Sequence, residues 1–522
     1  MSIKRSLTIL VLLFVLSITG CGSKPAPVIT VPNGAQSGEL VGLKACEFQA
    51  SGEKFAAECG TLVVPENWDK ADSRLIALPV VRIPASGSNP AEPVFWLAGG
   101  PGGPNIVWAP PDWILKNHDV VMVGYRGVEG TLALSCPEVG RLLKAHIGKD
   151  VFSKQARAEY VVAIKQCAEA HQNVGVDLSG YTIPAVIEDL EAARIALGYE
   201  RINLMSVSYG TRIAQIYAHM HPDSLRRLVL ISVNTPGHFI WDRAAFDEMI
   251  EHISELCAQD ADCNSRTSDF ARTMYEVNHD MAAHWLFFNI DPDTVRLGTQ
   301  FMFLSNSDMP MVFDAYLAAA EGDPSGLAML NLISSLAPID QQIVGDQASK
   351  AGTIDLEKYG GIESVSLGDS IMGAPMAEWF WPLAREWPIE LIPKDLREFQ
   401  ETDVEMLLVN GTVDFSTPPT ALYETKPYFH NAQMVILPEF SHTGDVLQQQ
   451  PEAFERLITS YYDSGVADDS LYVYQPLAFK PKMNLTVAAR LLVVAMIVLP
   501  ALIIWGAVSV VRRIRRRRAP NR

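Results

Sequence analysis

The chain has 522 residues, of which 48% are hydrophobic and 20% charged, enough for one large domain with an insertion, or for two or three domains, and for a sizeable core. Its net charge is −18, and ten positive charges sit at the two ends: Lys4, Arg5, Arg490 and seven arginines from Arg512 onward. Residues 6–489 therefore carry −28, which argues against a nucleic-acid partner, whose phosphates such a body would repel.

The first residues read as a targeting signal. Lys4 and Arg5 precede an apolar run, Leu7 to Thr19, that is too short for a comfortable membrane span. The run ends Leu16-Ser17-Ile18-Thr19-Gly20-Cys21, which resembles a bacterial lipobox. The resemblance implies a lipoprotein signal peptide over 1–20 and lipidation of Cys21; an ordinary signal peptide is the alternative. Gly22 to Gly38 is rich in Gly, Pro and Ser, so 21–45 is expected to be a flexible tether.

A folded body follows. Strand-like runs are predicted at Gly60–Pro65, Leu75–Ile83, Val94–Leu97, Val120–Val123, Ile202–Val207, Leu228–Val233, Met406–Val409 and Met434–Leu437. Several are apolar throughout, as strands buried on both faces of a parallel sheet are. Helical patterns lie at Lys154–Ala170, Pro184–Leu197, Tyr209–His221 and Pro451–Tyr462. The alternation predicts an α/β architecture. It stops after Val233, and a mostly helical block follows with Trp/Phe clusters such as Glu378-Trp379-Phe380-Trp381. Strand character returns at Met406. The expected layout is a first core part at 46–234, an inserted helical cap at 235–395 and a second core part at 396–475.

Ser206-Val207-Ser208-Tyr209-Gly210 joins a predicted strand to a predicted helix, the layout of a nucleophile elbow. A serine hydroxyl needs a base, an acid that orients the base, and N–H donors for the oxyanion. Asp414 leaves the strand Met406–Val409, and His442 leaves the strand Met434–Leu437. The order Ser208…Asp414…His442 is the one expected of an α/β-hydrolase. Oxyanion candidates are the amide of Tyr209 and one from Ala98-Gly99-Gly100-Pro101-Gly102-Gly103. That loop lacks the Lys-Ser/Thr of a phosphate loop.

Together these stretches resemble the proline iminopeptidase / tripeptidyl aminopeptidase family of α/β-hydrolases. The likeness rests on Gly99-Gly100-Pro101-Gly102, Val207-Ser208-Tyr209-Gly210-Thr211, and Leu408 to Asp414 with Thr417-Pro418-Pro419. Tyr181-Thr182, Asp189-Leu190, Arg194, Leu197-Gly198-Tyr199 and Gly322 to Leu327 add to it. The resemblance implies a serine aminopeptidase that removes N-terminal residues or short units from peptides. Ser208 would be the nucleophile, His442 the base and Asp414 the acid, with Gly100 and Tyr209 supplying the oxyanion amides. Three departures stand out. Ala98 occupies a position where many members have histidine, Ser206 replaces a glycine, and no aspartate precedes the Arg126-Gly127 turn. Family members hold the substrate amino group with acidic cap residues, for which Asp242, Glu248 and Glu251 are candidates. An esterase or lipase of the same fold and a non-catalytic binding lipoprotein are the alternatives.

Apart from Cys21, six cysteines remain, an even number that suggests disulfides in an exported chain. Neighbour pairing is expected: Cys46–Cys59, Cys136–Cys167 and Cys257–Cys263. No cluster has zinc spacing, so neither metal nor cofactor is expected. Finally, Leu491 to Val511 carries no charge and is long enough to span a bilayer. The arginines that follow put the 512–522 tail in the cytoplasm by the positive-inside rule. The body is then expected at the outer face of the cytoplasmic membrane, with short peptides as its substrates.

Overall fold

A computed structural model describes residues 28–236, 241–337, 344–352 and 356–518. The expected signal peptide, Cys21, the first part of the tether and the last four residues of the basic tail lie outside them. A nine-stranded sheet organises the chain. Its strands are β1 (Leu40–Ala50), β2 (Glu53–Pro65), β3 (Leu75–Ile83), β4 (Val94–Leu97), β5 (Val120–Val123), β6 (Ile202–Val207), β7 (Leu225–Ile231), β10 (Glu405–Gly411) and β11 (Ala432–Leu437). The order across the sheet is β1-β2-β3-β5-β4-β6-β7-β10-β11. The first three strands are antiparallel, and the six from β5 to β11 are parallel.

The central strands β4, β5 and β6 are buried at every residue, because helices cover both faces of the parallel part. This is an α/β-hydrolase fold. β1 departs from the expectation, since the tether was to run to residue 45 and the sheet begins at Leu40. Among the described residues β1 pairs only with β2 and leaves much of its length exposed, so it lacks the apolar run that marks a buried strand. The chain is docked even earlier: the Ile29 N–H donates to the Gly130 carbonyl at 3.1 Å, and Thr131 Oγ1 donates to the Ile29 carbonyl at 2.8 Å.

Between β7 and β10 the described residues form helices and one small ribbon, β8 (His284–Trp285) against β9 (Phe288–Asn289). These helices bury a core of their own, including Phe246, Phe270, Phe313 and Trp381, apart from the core around the sheet. One cap helix, Val344–Ala351, leaves that core and inserts Val344 and Ala348 among Leu134, Tyr160 and Tyr181 of the body. Gly345 permits the insertion, because a Cβ there would lie 2.1 Å from the Leu134 carbonyl oxygen.

The sulfurs of Cys46 and Cys59, Cys136 and Cys167, and Cys257 and Cys263 stand at disulfide distance. The C-terminal helix, Leu485–Arg518, contains a stretch to Arg512 long and apolar enough to cross a membrane. It starts six residues before the expected span, because its first turns pack on the cap. Leu485 and Ala489 are buried there, while most of the apolar side chains from Leu491 to Val511 are exposed.

Candidate active site

Ser208 follows β6 directly and precedes the helix Tyr209–Met220. Its φ of 51° is unusual for a residue with a Cβ, and such strain is characteristic of sites that fix a side chain's direction. The close crossing of strand and helix depends on Gly210. A Cβ there would sit 2.4 Å from the Leu97 carbonyl oxygen. Ser206, standing where the elbow pattern has glycine, is fully buried and donates its hydroxyl to the Val229 carbonyl at 3.0 Å. A serine is therefore accommodated because it has a partner on the neighbouring strand.

The structure brings Ser208, His442 and Asp414 together from three loops at the same edge of the sheet. His442 Nε2 lies 3.0 Å from Ser208 Oγ, and His442 Nδ1 lies 2.9 Å from both carboxylate oxygens of Asp414. Asp414 also accepts the N–H groups of Ser416 and Thr417, each at 2.9 Å, and the Thr417 hydroxyl at 2.8 Å. Burial disfavours its charge, but His442 and the Thr417 donors outweigh that and hold the carboxyl below its usual range. An ionised carboxylate at Nδ1 selects the tautomer in which Nε2 is free to accept a proton from Ser208. Asn410 braces the acid loop by accepting the Val233 N–H at 2.7 Å and donating to the Thr417 carbonyl at 2.8 Å.

The glycine-rich loop lies over the elbow. A Cβ on Gly99 would meet the Ser208 Cβ at 3.2 Å, and Gly100 has a φ of 139° that favours glycine. Tyr209 opens a helix, so its N–H has no acceptor within that helix. Gly100 and Tyr209 both line the cleft beside Ser208. Ala98 is held at both ends: its N–H donates to Asn105 Oδ1 at 2.8 Å, and its carbonyl accepts the Tyr125 hydroxyl at 3.2 Å. Asn105 also donates to the carbonyls of Trp96 and Val123. Beneath them the buried Glu129 accepts N–H bonds from Asn105, Ile106 and Tyr125. Burial still pushes its pKa up. The sequence reading missed Asn105, Tyr125 and Glu129, because buried polar residues in loops carry no periodic pattern.

The Arg126-Gly127 turn serves the frame. Arg126 is fully buried and makes a two-point ion pair with Asp189 at 2.5 and 2.6 Å. It also donates to the carbonyls of Pro65, Glu66 and Gly180. Next to it the inserted cap helix brings Asp346, whose carboxylate lies near the Gly102 amide and pairs with Lys350 at 2.9 Å. Burial pushes Asp346 up and Lys350 down, and each is opposed by its partner. The cap thereby approaches the glycine-rich loop.

An open cleft of about 520 Å³ lies over Ser208. Its roof comes from Trp241, Phe246, Gln300, Met376, Ala377 and Phe380 of the cap. Phe380 belongs to the Trp/Phe cluster legible in the sequence; the other roof residues had no such signal. None of the three acidic candidates for an amino-group site lines this cleft. Asp242 instead caps the helix Arg243–Gln259 by accepting the Ala245 N–H at 3.0 Å, and Glu248 and Glu251 are exposed on that helix. An aspartate at a helix start and glutamates on the solvent face of an amphipathic helix are ordinary structural roles.

Comparison with known proteins agrees with this architecture. Residues 93–255 match the family model described as alpha/beta hydrolase fold. The chain is similar to a tripeptidyl aminopeptidase of Streptomyces lividans, 30% identical over 207 residues, covering 37% of this chain and 38% of that protein. It is also similar to the serine protease Hip1 of Mycobacterium tuberculosis, 29% identical over 266 residues, covering 46% and 48%. The chain thus spans less than half the length of these curated relatives. An alpha/beta hydrolase fold protein from Chitinophaga pinensis aligns with 82% of this chain and all of its own, at 13% identity and a TM-score of 0.35. The chain carries an α/β-hydrolase domain similar to those of serine peptidases.

Proposed function

We propose that this protein is a serine exopeptidase that releases N-terminal residues or short N-terminal units from peptides through a Ser208–His442–Asp414 acyl-enzyme mechanism. The observation that carries the reading is the unbroken hydrogen-bonded chain from Ser208 Oγ through His442 to the buried Asp414, opening into a roofed cleft. His442 Nε2 takes the Ser208 proton as Oγ attacks the scissile carbonyl. The Gly100 and Tyr209 amides face the oxyanion that forms, and preorganised N–H donors of this kind stabilise it. His442 then passes the proton to the leaving amine, and water resolves the acyl-enzyme by the same route. A cleft roofed by a cap favours short substrates over folded chains. The peptidase names of the relatives support peptides as the substrate class.

The C-terminal apolar helix supports an attachment to the membrane, with lipidated Cys21 as a second anchor and the body on the outer face. In an exported protein three disulfides are compatible with that compartment. A second reading, ester hydrolysis, draws on the cleft lining. Among the described lining residues the polar side chains are Ser208, Tyr209, Asn234, Trp241, Gln300 and Ser416, none of them a carboxylate to meet an ammonium group.

The test is fluorophosphonate labelling of the full-length protein, followed by a panel of free and blocked peptides and unactivated esters. The parent should be labelled at Ser208 and cleave only peptides with free N-termini. Ser208→Ala should be neither labelled nor active. Labelling with ester but no peptide turnover would favour the second reading, and activity retained in Ser208→Ala would sink both.

A further inference from the structure

After the helix Pro451–Ser464, residues 465–484 run without helix or strand to the C-terminal apolar helix. This strap is tied down along its length. The Ala467 N–H donates to Gln433 Oε1 at 2.9 Å, and Val473 exchanges two hydrogen bonds with the side chain of Gln450. Tyr472 packs edge-on against Phe440, with ring centroids 5.9 Å apart. Farther on, Leu477 and Phe479 are buried in the cap core, where Phe479 stacks on Phe313 at 5.0 Å. Asn484 then donates to Asp314, and Arg490 pairs with Asp323 at 2.6 Å.

The central tie is Glu439, three residues before His442. Its side chain accepts the Tyr474 hydroxyl through Oε1 and the Leu477 N–H through Oε2, both from the strap. Its own N–H donates to Thr412 Oγ1 at 2.7 Å, two residues before Asp414. Its carbonyl accepts Asn306 Nδ2 of the cap at 3.0 Å. The next carbonyl, that of Phe440, accepts the Val413 N–H at 3.1 Å. The acid loop, the histidine loop, the cap and the strap therefore meet at one residue. Glu439 adopts a φ of 60°, where glycine or asparagine is the easier choice. A buried glutamate kept in that conformation is set against its backbone preference, and its side-chain bonds to the strap offset the cost.

We infer that Glu439 is a positioning residue: by clamping the strap through Tyr474 and Leu477 it holds the His442 loop in place, so that the segment leading to the C-terminal apolar helix is part of the scaffold of the active site. The inference rests on the reading of Ser208, His442 and Asp414 as a catalytic triad. It gives the strap a role beyond joining body to helix, because a displaced strap would loosen His442 while leaving the cleft lining intact.

The test uses the full-length protein, three single variants (Glu439→Gln, Tyr474→Phe and Phe479→Ala) and the Glu439→Gln/Tyr474→Phe double variant; Phe479→Ala removes a ring from the cap core and leaves the Glu439 contacts to the strap in place. Second-order labelling of Ser208 by a fluorophosphonate, kcat, KM and the melting temperature are measured for each. Glu439→Gln and Tyr474→Phe should lower labelling and kcat about tenfold, as loss of one charge-assisted bond at the histidine loop would, with KM within about twofold. The Glu439→Gln/Tyr474→Phe double variant should label no more slowly than Glu439→Gln alone, because Tyr474 acts through Glu439. Phe479→Ala should lower the melting temperature and label like the parent. Should Glu439→Gln or Tyr474→Phe fail to fold, the other carries the test. Parent-like labelling and kcat in the folded variants would overturn the inference, as would losses that follow melting temperature across all three. An unlabelled parent would overturn the triad reading, and this inference with it.

Discussion

In the body, each member of the hydrogen-bonded chain leaves the end of a parallel strand: Ser208 follows β6, Asp414 follows β10 and His442 follows β11. In the cap, the residues above Ser208 come from separate places, with Trp241 and Phe246 at one end of the insertion, Gln300 in its middle, and Met376, Ala377 and Phe380 near its close. Backbone pairing sets the first group, since β6, β7, β10 and β11 are neighbours in register. Side-chain packing around Phe246, Phe313 and Trp381 sets the second. The body is thus suited to constant chemistry and the cap to a variable fit, because a packed roof can change shape without moving a strand end.

The largest expected effect separates the two regions most sharply. Asp414→Asn should keep the cleft yet lower kcat by about 10⁴-fold, as loss of the orienting carboxylate does in a triad. Steady-state kinetics with KM little changed would locate the loss in the body. The same residue has a signature in acid. Its pKa in the folded protein is lowered, so its contribution to stability is fully present above its unfolded value, near pH 4, and is lost as pH falls through the lowered value. The gap in melting temperature between Ser208→Ala and Ser208→Ala/Asp414→Asn should therefore narrow from pH 7 to pH 3.

A second prediction concerns the place where the cap is rooted. Lys350→Met leaves Asp346 buried without its ion-pair partner and should cost about 3–5 kcal/mol, read by denaturant unfolding. Adding Asp346→Asn should restore part of that loss. A fall no larger than that of an exposed pair such as Arg272–Glu276 would mean that the cap is held by its apolar contacts alone. The smallest expected effect lies in the roof. Phe380→Ala should raise KM about tenfold, worth about 1.4 kcal/mol, with kcat within about twofold, since it removes binding surface remote from the reacting atoms. A matching fall in kcat would show that the roof positions the substrate for attack and would blur the division between the regions.

The residues that carried the sequence reading share one property: their neighbours along the chain define them. Apolar runs mark β4, β5 and β6 because helices bury both their faces, and a strand followed by Ser208, Asp414 or His442 is visible in a few consecutive letters. β1 was not legible, because it alternates in exposure at the margin of the sheet. Asp242, Glu248 and Glu251 read as amino-group ligands only while the direction of their helix was unknown. With the helix in place, Asp242 caps it and the two glutamates face solvent.

The α/β layering, the chain order of serine, acid and histidine, and an apolar C-terminal segment long enough for a bilayer are all written in short stretches of consecutive residues, because each follows from local composition, period or motif. What surrounds them follows from packing in three dimensions. The Asn105–Glu129 brace, the approach of Asp346 to Gly102, the cleft roof and the Glu439 junction join residues tens to hundreds of positions apart. Such contacts depend on how strands and helices stack in space, and no periodicity along the chain encodes them.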